Sequence, residues 1–132
     1  MILLSGIVVS VAGVYLIAFT VVVAVKPLLA ERFLKSFASS ARAHYTEQAV
    51  RMITGASIII FASSMWYPDL FMAFGWLLVV TTAGLLLIPW QWHHKFGTWA
   101  IPLAIRHLKF YAIGTAALGA FILYGMSRAV LS

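Results

Sequence analysis

Lys26 to Arg51, KPLLAERFLKSFASSARAHYTEQAVR, is the one long polar passage in a chain of 132 residues, and it holds five of the nine Lys and Arg side chains. An uncharged apolar run ends at its first residue and another begins after its last. A shorter passage, Pro89 to Lys109 (PWQWHHKFGTWAIPLAIRHLK), repeats the arrangement. Both read as basic connectors at one membrane face, each joining two transmembrane helices. The expected fold is an all-α integral membrane protein in one domain, residues 1–132. It has four spans at about 3–25, 46–66, 70–89 and 105–127, and amphipathic interfacial segments at about 28–40 and 90–101.

Composition leads to the same class. Hydrophobic residues make up 64% and charged residues 9%, against about 45–50% and about 25% in soluble domains. A chain this short cannot hide that much apolar surface from water, so its solvent is lipid. The absence of cysteine excludes disulfides, thiolate metal sites and cysteine nucleophiles. The net charge of +6 sits at the ends of apolar runs, which suits anionic lipid headgroups and argues against a nucleic-acid surface.

Leu3 to Val25 is long enough to cross a hydrocarbon core of about 30 Å. It lacks the positive start of a signal peptide and Lys26-Pro27 follows the run directly, so a retained helix is expected. Pro27 ends that helix. Leu29, Phe33, Phe37 and Ala41 then recur every four residues between Arg32, Lys35, Ser36 and Arg42, which is the pattern of a helix lying among headgroups. Ser39 and Ser40 are candidate caps for the second span. Tyr67-Pro68-Asp69-Leu70 reads as a tight turn that makes spans two and three antiparallel neighbours. Pro102 fits the first turn of the fourth span.

Eight of the nine basic residues lie in the two connectors, and Arg128 lies opposite. Both connectors are therefore expected in the cytoplasm and both termini outside it, in a cell membrane of the bacterial inner-membrane type. The halves also resemble each other as two parallel repeats. Gly13 and Gly75, like Pro27 and Pro89, stand 62 residues apart, while Phe33 and Phe96, like His44 and His107, stand 63 apart.

Candidate chemistry is sparse. His44 and His107, or these with His93 and His94, have the chemistry to ligate haem or a metal, but no ligand motif accompanies them and no cofactor is expected. Trp90, Trp92, Phe96 and Trp99 form an interfacial aromatic girdle that also suits a flat ligand such as a quinone. Arg51 adjoins an uncharged run and can snorkel to the interface, pair with Glu47 one turn earlier, or act within the membrane. The set Arg42, His44, Arg51, Arg106, His107 and Lys109, around the starts of spans two and four, is the candidate site for a lipid or other anion. The triplet Arg42-Ala43-His44 in a small four-span chain resembles the second helix of microsomal glutathione-transferase-like proteins. The asparagine and glutamate of that family are not in step here, and no residue role carries over.

The expected function is that of a non-catalytic accessory or scaffold subunit of a membrane complex or homo-oligomer, touching anionic lipid. Small-residue rows at Gly6-Ser10-Gly13 and Ala112-Ala116-Ala120 suit helix contacts with a partner. The alternative is a protein that binds or transports an amphiphilic anion such as a lipid, and less so a haem or quinone electron carrier.

Overall fold

The computed structural model describes residues 2–36 and 40–131, the last without its side chain. The long apolar runs become helices because lipid leaves no other way to pair backbone N–H and C=O groups. Six α-helices follow in order: α1 Ile2–Val25, α2 Pro27–Ser36, α3 Ala41–Phe61, α4 Pro68–Leu87, α5 Trp90–Arg106 and α6 Leu108–Leu131. A single 3-10 turn, Ala62–Ser64, follows α3.

Three of these helices, α1, α4 and α6, are long and apolar enough to cross a membrane. α3 matches them in length and packs between α1 and α4, but it carries Arg42, His44, Glu47, Gln48 and Arg51. α1 also packs on α6. α4 meets α6 through Phe71 stacked on Phe121, ring centres 5.0 Å apart. The short α2 and the longer α5 lie against each other and against the bundle at the end reached by both connectors.

The element ends follow local chemistry. Pro27 opens α2 and Pro89 caps α5, so each connector begins where a proline stops the preceding span. Ser40 caps α3, its Oγ accepting from the Ala43 N–H at 3.1 Å. Ser39 and Phe37 lie outside the described residues. The α3–α4 turn is tight, with Pro68 in the first turn of α4 and Tyr67 in the left-handed region at φ 56°. Trp66 fastens this turn to the far end of α6. Its backbone N–H donates to the Gly125 carbonyl at 3.0 Å and its indole N–H to Ser127 Oγ at 3.1 Å. Arg128 adds a donation to the Met65 carbonyl and lies over the Trp66 ring.

Pro102 corrects one expectation. It lies inside α5, and the break falls at His107, between α5 and α6. A helix-interior proline loses one donor, here the one that would serve the Thr98 carbonyl. Pro102 and Thr98 are both exposed, and an unpaired carbonyl costs least at such a surface.

Two apolar cores stabilise the bundle. At the turn end, Val9, Ile58, Phe61, Ala62, Met65, Phe71 and Ile122 join all four long helices. At the connector end, Phe19, Val23, Ala30, Leu34, Leu108 and Ala112 join α1, α2 and α6. Between the cores the helices approach at glycines. A Cβ on Gly119 would stand 2.9 Å from the Gly13 carbonyl oxygen, and one on Gly75 would stand 3.0 Å from that of Gly55. α1–α6 and α3–α4 are thus both glycine crossings, and the close approach maximises dispersion contact where lipid removes most of the hydrophobic drive.

Candidate functional site

Two constellations at the connector end carry polar chemistry. The first is a groove of about 660 Å³ between α2 and α5. Its lining is Gly97, Ile101 and Ile105 at the less exposed positions, with the exposed Pro102, Thr98, His94 and Arg106 of α5 and Lys35 of α2 around them. Ala30 and Leu34 of α2 and Gly97 of α5 are the buried positions of the two helices, whereas Trp92, Phe96 and Trp99 of α5 stay exposed. Arg106 lies in the last turn of α5, where a cation complements the helix dipole.

The second constellation lies between α3 and α5. His44 and Gln48, one turn apart, are 0% exposed. His44 Nδ1 lies 2.7 Å from His93 Nδ1, and the rings meet edge-on with centres 4.8 Å apart. His93 Nε2 faces Glu47 Oε2 at 3.8 Å, in ion-pair range and too long for a hydrogen bond. His44 Nε2, Glu47 Oε2 and both amide atoms of Gln48 are buried without a hydrogen-bond partner. Burial holds the His93 imidazole below the ordinary histidine value; Glu47 pulls it upward, while His44 and Arg51 add to the lowering.

Arg51 lies one turn beyond Gln48. Its Nε donates to Thr82 Oγ1 and its Nη2 to Thr81 Oγ1, each at 3.1 Å. Thr82 lies five residues before the end of α4 at Leu87, about 7.5 Å along the helix axis at 1.5 Å per residue. The guanidinium is therefore anchored within the span by hydroxyls, and Glu47 turns to His93 rather than to it.

The sequence-derived anion set does not form one cluster. Arg42 and Lys109 are exposed in the first turns of α3 and α6, and His107 is exposed at the α5–α6 break with its ring 6.3 Å from that of Phe110. His44 and Arg51 belong to the buried cluster. Arg106 alone enters the groove, where it meets Lys35 and His94, which the set omitted. The expected free amide donors at a helix start by Pro102 do not exist, because that residue is mid-helix. His44 and His93 direct the same ring nitrogens at each other. Two nitrogens bound to one tetrahedral zinc at about 2.0–2.1 Å would stand roughly 3.3 Å apart. Among the described residues no group of three or more His, Asp or Glu is placed to hold a metal ion.

His44, Gln48 and Arg51 fall at i, i+4 and i+7, so their common face was readable from the sequence. The sequence grouped His44 with His107, His93 and His94 only as candidate haem or metal ligands, and singling out His93 requires α5 to fold back over α3. Fold and composition together define a small helical membrane protein. No family model, curated protein or solved structure matches the chain.

Proposed function

We propose that this protein is a four-span membrane protein that binds an anionic amphiphile, a phospholipid by its chemistry, in the α2–α5 groove. One observation carries the reading: the two connectors, far apart in sequence, bring Lys35 and Arg106 to the rim of one apolar groove. Cations over an apolar floor suit a phosphate headgroup with its acyl chain alongside. The protein acts by binding and not by catalysis. The rival role as a scaffold rested on small-residue rows, and part of those rows is filled within the chain: Gly6 lies under Phe61 and Gly13 under Leu123.

α3 serves as the fourth span in this proposal. Its innermost charge, Arg51, is held inside the bundle by Thr81 and Thr82. The basic connectors lie in the cytoplasm and both termini outside it, by the eight-to-one distribution of Lys and Arg. The halves are a parallel duplication. The Gly13–Gly119 crossing corresponds to Gly75–Gly55, and the Thr20–Thr115 hydrogen bond of 2.9 Å corresponds to Thr82–Arg51. A single pair of offsets, 62 residues for α1 to α4 and 64 for α3 to α6, accounts for both, and it pairs His44 with Leu108 in place of His107.

The test is quantitative analysis of co-purifying lipid. Each basic residue near an anionic surface contributes on the order of 1 kcal/mol, so Lys35→Gln with Arg106→Gln should weaken anionic lipid retention about thirtyfold. The charge-matched pair Arg42→Gln with Lys109→Gln, outside the groove, should lower it by only a few-fold. Equal losses in both variants would reduce the groove to a share of general surface charge and defeat the proposal.

A further inference from the structure

The chain contains its own control for the buried polar cluster. Leu108, Ala112 and Thr115 of α6 lie 64 residues after His44, Gln48 and Arg51, and His93 and Gly97 of α5 lie 63 residues after Ala30 and Leu34. At the corresponding contact, Leu108 and Ala112 of α6 pack with Ala30 and Leu34 of α2 in one apolar core. Among the described residues, the same layout is therefore built there without a buried polar group. His44, Gln48 and His93 are not required by the architecture, and the unpartnered buried atoms of His44 and Gln48 make these two costly to it. A cost that the fold does not demand indicates a function.

We propose that His44 and His93 form a binding site for a single proton, taken up at His44 Nε2 and carried as positive charge on His93 beside Glu47. The comparison between halves rests on the duplication proposed above, whereas the geometry stands independently. A proton is a ligand that needs no cavity, and both His44 and Gln48 are closed to solvent. A hydrogen bond between two Nδ1 atoms at 2.7 Å needs one N–H and one bare nitrogen. The pair therefore holds two ring protons or three, and never four while the rings touch.

The Glu47 carboxylate favours a proton on His93 Nε2. That leaves His93 Nδ1 bare to accept from the His44 Nδ1–H, and leaves His44 Nε2 bare, in agreement with its lack of a partner. A proton arriving at His44 Nε2 forms a new N–H bond there. The His44 Nδ1–H bond breaks as its proton passes to His93 Nδ1. His44 ends neutral in the opposite tautomer, and His93 becomes imidazolium. Burial is the largest influence and opposes the charge on His93; Glu47 favours it, and Arg51 opposes it. Tyr45 borders His44 edge-on, and Tyr15 of α1 interacts electrostatically with Glu47 and with Tyr111 of α6. α4 presents Thr81 and Thr82, which hold Arg51.

The experiment is ring nitrogen-15 NMR of histidine-labelled protein in nanodiscs, with His94 and His107 assigned by substitution. At pH 8 the expected result is His44 with its proton on Nδ1 and His93 with its proton on Nε2. On acidification through the His93 titration it is one imidazolium, on His93, with His44 switched to the Nε2–H tautomer. The same tautomer in both rings at pH 8, or two imidazolium rings after that titration, would overturn the proposal. His44→Leu copies the residue found at the corresponding position of α6, and it should leave His93 a tautomer mixture with a displaced titration. An unchanged His93 signal in that variant would likewise overturn it. If His44→Leu does not fold, the wild-type tautomers decide the matter alone. Bound lipid enters none of these readouts, so failure of the groove proposal and failure of this one are distinguishable.

Discussion

At the scale of residues, the cluster around His44 shows how burial changes what a side chain does. Four histidines all sit near connector ends in sequence, yet only His44 is fully buried, and only His93 answers it. Burial is the largest influence on His93 and lowers its proton affinity. The sign of the stability effect follows. The unfolded chain takes its proton near the ordinary value of about 6.5, and the folded one at a lower pH. Between those values the unfolded state binds more protons, so stability falls as pH falls through that window and levels below it. Unfolding of the wild type in mild detergent, measured at pH 7, 6 and 5, should show this loss. His93→Gln should show a smaller one. Identical slopes in the two proteins would mean that His93 is not the group responsible.

At the scale of elements, two features decide where helices cross. Apolar periodicity selects which face turns inward, and glycine selects how near the axes come. Gly119 meets the Gly13 backbone oxygen, which cannot move aside as a side chain can, whereas Gly114 on the same helix has open space around it. Gly119→Ala should therefore destabilise the protein by about 1–3 kcal/mol through overpacking. Gly114→Ala should stabilise it by about 0.5–1 kcal/mol, because glycine is the poorer helix former. Equilibrium unfolding in sodium dodecyl sulfate mixtures measures both, and effects of equal sign would contradict the crossing geometry. The boundary between α5 and α6 shows the limit of element reading. A proline near a helix start and a proline inside a helix look alike in sequence. The difference lies in whether the freed carbonyl faces an exposed surface, as it does at Thr98.

At the scale of the whole molecule, the open question for the topology is α3. Three helices qualify as spans by length and apolarity, and α3, with its polar first three turns, does not. If α3 crosses the membrane as proposed, reporters fused after Lys35 and after Tyr67 must occupy opposite compartments. An exported phosphatase should be active only after Tyr67, and a cytoplasmic fluorescent reporter should mature only after Lys35. Both reporters active on the same side would remove the fourth span and invert the placement of α4 and α6.

The sequence alone determined the class of solvent, the helical content and the positions of the connectors. These follow from composition and from local rules: apolar length, proline stops and serine caps act within a few residues of each other. His44, Gln48 and Arg51 share one helical side, but by sequence His44 and Arg51 were assigned to a headgroup site, whereas the structure buries His44 and holds Arg51 on Thr81 and Thr82. The tertiary structure decided which connector residues meet. Lys35 and Arg106 lie 71 positions apart, and His44 and His93 lie 49 apart. No periodicity encodes such pairs, because they depend on α2 and α5 folding back across the bundle end. It also decided that Thr81 and Thr82 hold Arg51. A charge at a membrane edge has several near-equal ways to be satisfied, and only the packing of α3 on α4 selects among them.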